Sequence, residues 1–330
     1  MTVHDLANQV LRQYALGSVT EVSALGNAGG FSGARFWRVT ADGQQFCLRL
    51  WPTKGHTPDL AWIHQILLRS FQAGVPVACP IANRNGQTLV RFAGQSFELS
   101  PWMPGTADFN SAANVERLRS MLEGLGNFHQ VFQDSFQYGV SPAIKRRFSQ
   151  IRTASEIVAK LSRGSAPGPT AAISDLSRRL LPAVAGRLWG LEKRFGEVVS
   201  LEFQLGPVIR DVHHDHVLFS ENRLTGIVDF GSMSIDSRCL DLARLIGSLE
   251  MDNAAPWELA LDVYSQVVGQ KPGGVVLSET ETKLVRLLNE CNQTLGALNW
   301  LDWILLQNKQ FEDWSAIEKR LYFFAKSLGV

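Results

Sequence analysis

Residues 208–232, VIRDVHHDHVLFSENRLTGIVDFGS, form a β-rich segment in a half of the chain that is otherwise patterned as helix. Apolar runs at 217–219 and 224–228 flank the turn pair Glu221-Asn222, a pattern typical of a β-hairpin. The sequence therefore predicts two short antiparallel strands here, with a polar loop at each open end.

Two aspartates occupy those loops. Asp211 precedes the first strand and Asp229 directly follows the second, so pairing of the strands brings both carboxylates toward one site. Phosphoryl transfer needs such a pair, because one carboxylate orients the attacking hydroxyl while another holds the metal that neutralises the phosphates. Asp also caps turns, which is the structural alternative. The placement favours the catalytic interpretation.

The first third of the chain is patterned as an antiparallel sheet. From about Val22 to Leu99, apolar residues alternate or form short runs separated by glycines and turn pairs. One helical pattern interrupts them at 59–73, where Gly74 stops the helix. A five-stranded sheet with one helix is expected.

The rest of the chain is mainly helical, with long patterns at 114–132 and 173–195 and others after Pro256. The predicted fold class is α+β, with an N-terminal antiparallel β-sheet lobe carrying one helix and a larger, mainly helical C-terminal lobe.

Composition excludes several classes of function. The 330 residues carry 32 Lys and Arg against 31 Asp and Glu, with no basic stripe, so nucleic acid is not expected as a partner. No apolar run reaches the length of a membrane span and no cleavable leader is evident, so a cytoplasmic protein with no membrane partner is expected. Four widely spaced cysteines are expected to be reduced.

The loop segment carries a family resemblance. Residues 209–216, IRDVHHDH, align with a kinase catalytic loop, and 229–231 supply its D-F-G motif. The run most closely resembles the aminoglycoside phosphotransferase and choline kinase-like superfamily, whose loop reads H-G-D-x-H-x-x-N and which also has an Asp before Leu-Ala, as at 241–243. The resemblance implies a bilobal protein-kinase-like fold. It assigns Asp211, Arg210 and His213 to catalysis.

Three N-terminal segments agree with the resemblance in order along the chain. The loop GNAGGFSG at 26–33 is similar to the superfamily's nucleotide loop, which implies ATP phosphate contacts from Gly29, Gly30, Ser32 and Gly33. Arg49 stands where a strand lysine binds the α- and β-phosphates. The backbone of Ser100, Trp102 and Met103 corresponds to the hinge that binds adenine.

These assignments imply a domain organisation and cofactors. Residues 1–99 form the nucleotide-binding lobe, 100–105 the hinge, and 106–330 the helical lobe with the catalytic loop and acceptor site. ATP and Mg²⁺ are the implied cofactors, and a small-molecule hydroxyl is the implied acceptor. Asp229 and His216 are the implied metal ligands.

The sequence departs from the superfamily at three positions. Ile209 replaces the first loop histidine. His216 replaces the metal-binding asparagine, which makes Mn²⁺ or Zn²⁺ more plausible because Mg²⁺ prefers oxygen. The helix at 59–73 has no glutamate in its middle to pair with Arg49, and His64 or Gln65 occupies that neighbourhood.

The acceptor pocket is predicted from aromatic and acidic residues near the C-terminus. This set would suit a cationic or amine-bearing acceptor, although such aromatic stretches are more often core. Its members are Glu250, Asp252, Trp300, Asp302 and Trp303.

Other functions stay open. A protein-substrate kinase is disfavoured because only nine residues separate Gly231 from Asp241. The three departures would also suit a pseudokinase that senses nucleotide or acts as a scaffold. A metal-dependent phosphohydrolase is motivated by His214-Asp215, but the predicted strands disfavour its all-helical architecture.

Overall fold

The computed structural model describes residues 3–26, 33–52, 59–164, 168–250, 255–270, 274–311 and 313–330. The described chain divides into two compact units. Unit 1 comprises 1–133, 209–234 and 248–276, and unit 2 comprises 134–208, 235–247 and 277–330. The lobe boundaries expected from the sequence stay a prediction.

The helices and strands follow one another as mixed α and β structure. The helices are α1 (Val3–Leu11), α2 (Leu60–Gln72), α3 (Val115–Gln130), α4 (Pro142–Ser162), α5 (Ala171–Val198), α6 (Cys239–Ile246), α7 (Ala255–Gly269), α8 (Glu279–Leu301) and α9 (Trp314–Leu328). The strands are β1 (Val19–Gly26), β2 (Arg35–Ala41), β3 (Gln44–Leu50), β4 (Val90–Phe92), β5 (Gln95–Pro101), β6 (Gln137–Val140), β7 (Glu202–Val208), β8 (Val217–Ser220), β9 (Arg223–Ile227) and β10 (Ser234–Ser237).

Unit 1 contains the predicted N-terminal sheet. Its five strands run in the order β1-β2-β3-β5-β4, and each neighbouring pair is antiparallel. Alternation of side chains across the pleat gives the sheet two distinct faces. The first face packs with α1 in an apolar core that includes Val10, Trp37, Leu48 and Leu99. The predicted sheet is confirmed.

The second face of this sheet carries the polar residues. Arg49 on β3 lies opposite Phe36 on β2 and Glu98 on β5. Cys47, two residues before Arg49, lies opposite Ser100. Since residues two apart on a strand share a face, the register gathers these side chains away from the α1 core.

Helix α2 lies within the predicted range 59–73. The Asp59 carboxylate accepts a hydrogen bond from the Trp62 amide at 3.1 Å, which caps the N-terminus. Gly74, with φ of 83°, follows the C-terminal cap. The buried face of the helix includes His64.

The predicted hairpin is formed by β8 and β9, paired from Val217 opposite Ile227 to Ser220 opposite Arg223. The chain after β5 adds to it, because Thr106 and Phe219 exchange two backbone hydrogen bonds of 2.9 Å. Gly105 precedes this bridge with φ of 97°, and a Cβ there would stand 2.6 Å from the Phe219 carbonyl oxygen. Only glycine fits this approach.

Unit 2 is mainly helical and contains a small sheet in the order β10-β7-β6. Helix α5 extends the predicted range 173–195 at both ends and accommodates Pro182. The buried Arg238 and Glu281 side chains form an ion pair of 3.1 Å. Helix α4 and the three strands of this sheet had no counterpart in the predicted elements.

No helix in the described ranges has the length and apolar character that a membrane crossing requires. All four cysteines are free. Burial and the neighbouring Glu98 carboxylate raise the pKa of Cys47 to about 12, so its thiol is neutral beside the polar face of the sheet.

Candidate active site

The catalytic-loop segment folds around His216. A short 3₁₀ turn at His214–His216 leads into β8 and directs the His216 ring back toward Asp211. The ring Nδ1 lies 2.7 Å from the Asp211 carbonyl oxygen. A carbonyl can only accept, so Nδ1 carries a proton and donates in this contact, and Nε2 points away from it. His216 is thus oriented as a potential metal ligand through Nε2.

Asp229 follows β9 and lies beside Nε2 of His216. Its Oδ2 is 3.9 Å from His216 Nε2, and its Oδ1 accepts a hydrogen bond of 3.2 Å from Arg49 Nη1. The Asp229 side chain is 43% exposed, so solvent reaches the carboxylate. One carboxylate therefore faces both a cation of the sheet and an imidazole of the loop.

The backbone is strained at both loops. Among the residues that the structure describes, six other than glycine have a positive φ, and Arg210 (67°) and Asp229 (60°) are two of them. Such conformations cost free energy and persist where the surroundings fix them, which is frequent at functional sites. The strain at two positions next to the predicted reacting groups supports a functional interpretation of both loops.

The histidines of the loop are close together. The His213 ring lies 3.9 Å from the His216 ring between centroids, and ligand atoms of Asp211, His213 and His216 all lie within 4.8 Å of one another. The His214 amide donates to Ser248 Oγ at 3.0 Å, and its ring Nε2 lies 3.2 Å from Asp215 Oδ1. His214 thus forms a second group of possible ligands with His213 and Asp215, which shares His213 with the first.

Arg49 is buried in an aromatic setting. The residue is 7% exposed, and its guanidinium carbon lies 3.7 Å from the ring centroid of Trp51 and 5.2 Å from that of Phe36. Within the described chain, Nε of Arg49 has no hydrogen-bond partner. Among the described residues, the guanidinium thus donates to the Asp229 carboxylate and has its Nε donor unused.

Glu98 belongs to the site although the sequence patterns did not indicate it. Its Oε2 accepts hydrogen bonds of 2.9 Å from Trp51 Nε1 and from His64 Nε2, and the other ring nitrogen of His64 lies 2.8 Å from Thr88 Oγ1. His64, one of the two residues expected near the position of the missing helix glutamate, thus contacts Glu98 from α2. Glu98 lies opposite Arg49 only through the pairing register of β3 and β5, which no local sequence pattern specifies.

The nucleotide-loop residues are only partly described. Gly29, Gly30 and Ser32 lie outside the described residues. Gly33 has φ of 76°, a conformation that favours glycine. The phosphate contacts expected of this loop stay a prediction.

The hinge residues lie at the end of β5 and directly after it. The Trp102 amide donates to the Gln45 carbonyl at 3.0 Å, and the indole ring of Trp102 stacks under the Arg38 guanidinium at 4.2 Å. Pro101 and Pro104 have no N–H. The Met103 amide, which lies between them, makes no hydrogen bond with any residue the structure describes. Ser100 lies within β5 and pairs with Cys47.

The predicted acceptor residues are distributed over both units. Glu250 is exposed in unit 1, where its amide donates to Asn110 Oδ1 at 3.0 Å. Trp300, Asp302 and Trp303 lie in unit 2, and the two indole rings are 5.2 Å apart in an edge-on arrangement. Trp300 is buried and Trp303 half-buried. Asp252 is outside the described residues.

Comparison with known proteins relates this chain to phosphotransferases. Residues 23–272 match the model of the phosphotransferase enzyme family, APH. A homoserine kinase of Brucella anthropi is 24% identical over 248 residues, which are 74% of this chain and 69% of that protein.

Solved structures share the fold at low identity. The amicoumacin kinase hAmiN in complex with AMP-PNP, Ca²⁺ and Ami superposes with a TM-score of 0.65 at 15% identity, covering 99% of this chain and 93% of that chain. A spectinomycin phosphotransferase in complex with ADP and spectinomycin superposes with a TM-score of 0.61 at 11% identity, covering 99% of this chain and 94% of that chain. The choline kinase LicA of Streptococcus pneumoniae superposes with a TM-score of 0.55 at 12% identity, covering 98% of this chain and 99% of that chain. The fold is thus protein-kinase-like, and the chain belongs to the phosphotransferase enzyme family.

Proposed function

We propose that the protein is an ATP-dependent kinase that transfers the γ-phosphate to a hydroxyl of a small molecule. The observation that carries the proposal is the buried Arg49 guanidinium, which bonds to Asp229 at 3.2 Å and whose Nε has no acceptor in the part of the chain that the structure describes. The family membership and the nucleotide complexes of two structural relatives support it.

Electrostatics favours a phosphate beside Arg49. A buried charge is stable only when it is paired and hydrogen-bonded, and Asp229 supplies a single, half-exposed partner. The oxygens of a polyphosphate could take up the remaining donors of the guanidinium in a forked geometry. Arg49 is accordingly assigned to the phosphates of ATP.

Asp211 is assigned as the base that orients and deprotonates the acceptor hydroxyl. Its carbonyl is held by His216, and its side chain belongs to the group of ligand atoms shared with His213. Arg210 carries the strained conformation that sets the start of the loop. Arg210 and His213 are assigned to holding the geometry of Asp211.

The donor set around Asp229 fits a divalent cation. An accessible carboxylate oxygen and Nε2 of His216 are 3.9 Å apart, and a small shift would let both reach one ion. Such an ion would neutralise charge on the transferred phosphate. One nitrogen ligand favours Mn²⁺ alongside Mg²⁺.

The adenine and the remaining phosphates are assigned to backbone groups. The available amide of Met103, with the neighbouring carbonyls of Ser100 and Trp102, would pair with the adenine edge. Gly29, Gly30, Ser32 and Gly33 are assigned to the phosphates through their amides.

The acceptor is proposed to be a small hydroxyl compound. Relatives named as kinases of homoserine, choline and amicoumacin support this class without selecting a member, because fold does not fix substrate. Glu250, Asp252, Trp300, Asp302 and Trp303 stay the candidates for acceptor contacts.

An ATP-consumption screen over hydroxyl-bearing metabolites and antibiotics, with Mg²⁺ and Mn²⁺ in parallel, tests the proposal. We expect at least one acceptor to raise ATP consumption and to gain one phosphate by mass spectrometry, and a chelator to abolish both. Thermal stabilisation by nucleotide without turnover on any acceptor would favour the pseudokinase instead.

A further inference from the structure

We propose that Trp51, Glu98 and His64 act as positioning residues that hold Arg49 for phosphate binding, replacing the helix carboxylate that this chain lacks. The inference rests on the proposed function through the contact of Arg49 with nucleotide phosphate. It assigns a role to two buried side chains, Trp51 and His64, and to the partly buried Glu98, none of which is assigned to the nucleotide itself.

The first contact is the stack of Trp51 on Arg49. The guanidinium carbon lies 3.7 Å from the indole centroid, which is close for a cation–π contact. The backbone that follows Asp229 lies against the edge of this stack, because a Cβ added to Gly231 would meet both Arg49 Nη2 and the Trp51 ring at 3.2 Å. The guanidinium is therefore held on the face of the indole, with the Gly231 backbone beside both groups.

The second contact fixes the indole. Trp51 Nε1 donates to Glu98 Oε2 at 2.9 Å, and Glu98 lies opposite Arg49 across the β3-β5 pairing. The carboxylate bonds to the indole and leaves the guanidinium donors for other oxygens. Glu98 thus orients Arg49 through Trp51.

The third contact connects the strand to α2. His64 Nε2 donates to the same Glu98 oxygen at 2.9 Å, and Nδ1 lies within hydrogen-bonding distance of the Thr88 hydroxyl oxygen, at 2.8 Å. His64 is 5% exposed and lies on the buried face of the helix. His64 of α2 and Glu98 of β5 therefore link the helix to the stack of Trp51 on Arg49. A single glutamate on the helix would otherwise make this link.

A purely structural role for these residues is the competing explanation. In that case a substitution would change the stability of the sheet and affect every ligand of the site equally. A positioning role affects ligands that carry phosphate and spares those that do not. The ratio of adenosine to ADP dissociation constants separates the two roles.

The test is calorimetric titration of ADP and of adenosine at fixed Mn²⁺ concentration. We expect Trp51→Leu to weaken ADP binding about tenfold while adenosine changes less than about twofold. Trp51→Phe keeps the ring over the guanidinium and loses only the N–H, so its ADP-specific loss should be about threefold. Trp37→Leu, a buried tryptophan on the opposite face of the same sheet, is the matched control and should leave the ratio unchanged.

Failure of the inference differs from failure of the proposed function. If the wild type binds ADP no more tightly than adenosine, or Arg49→Met leaves the ratio unchanged, the proposed phosphate contact is wrong. If Arg49→Met removes the preference for ADP but neither Trp51 variant alters it, the positioning role is overturned. Should Trp51→Leu fail to fold, Trp51→Phe alone decides, and an unchanged ratio then contradicts the inference.

Discussion

At the scale of residues, His216 connects the two acidic loops. Its Nδ1 bonds to the Asp211 carbonyl and its Nε2 faces Asp229. Because the first bond fixes the ring and its tautomer, the second nitrogen is oriented before any ligand arrives. A backbone carbonyl therefore determines which atom of His216 is offered to a metal.

Replacing this histidine should change metal preference. In His216→Asn an amide oxygen takes the position of the nitrogen, and Mg²⁺ prefers oxygen ligands. We expect the ratio of kcat/KM with Mg²⁺ to that with Mn²⁺ to rise at least about fivefold.

The neighbouring His214 offers a matched control. His214 contacts Ser248 and Asp215. His214→Asn should therefore leave the ratio of kcat/KM with Mg²⁺ to that with Mn²⁺ within about twofold of the wild-type ratio. Equal ratios in wild type and His216→Asn would show that His216 does not contact the metal.

Residue types and order along the chain predicted Asp211, Asp229 and Arg49 from the sequence. Trp51 and Glu98 were missed for a physical reason. Their relation to Arg49 depends on which residues lie opposite each other in β3 and β5, and register is set by pairing across the sheet. No local pattern specifies it.

At the scale of elements, the β8-β9 hairpin places both aspartates, and its turn is strained. Glu221 has φ of 53°, although glutamate favours negative φ. Its carbonyl accepts a hydrogen bond of 2.8 Å from Arg117 Nε, which holds the turn against α3. Tertiary contact therefore stabilises a conformation that the local sequence disfavours.

Glycine at this turn should stabilise the protein. Glu221→Gly relieves the positive φ and keeps the backbone carbonyl, and we expect the free energy of unfolding to rise by about 0.5–1 kcal/mol. Arg223→Gly, at an exposed strand position of the same hairpin with ordinary φ, should lower it by a similar amount. Denaturant unfolding measures both. A lower free energy of unfolding in Glu221→Gly would contradict the conclusion that the backbone of Glu221 is strained.

Elements with strong periodicity were predicted, and weakly patterned ones were not. Helix α2 and the β8-β9 hairpin have caps or turns with clear sequence signals. Helix α4 buries few residues among many charged ones, and β6 reads Gln-Tyr-Gly-Val without alternation. These two elements depend on tertiary contacts within unit 2 for their definition.

At the scale of the whole molecule, unit 1 collects three separate stretches of chain. They bring together the β-sheet with Arg49, the hairpin with Asp211 and Asp229, and the segment with Ser248. All described residues proposed to hold nucleotide, metal and the base therefore belong to one unit. The substrate could not be predicted from the sequence, because the scaffold is shared by relatives with different acceptors.

The central claim is that Asp211 and Asp229 have separate tasks in one site. Turnover and Mn²⁺-dependent ADP affinity, measured together on Asp211→Asn, Asp229→Asn and the exposed loop control Asp215→Asn, test it most directly. We predict that Asp211→Asn lowers kcat by about 10³-fold and keeps ADP affinity within about threefold, whereas Asp229→Asn also removes the Mn²⁺ dependence of ADP binding. An Asp211→Asn variant with kcat within about tenfold of the wild type would contradict the account.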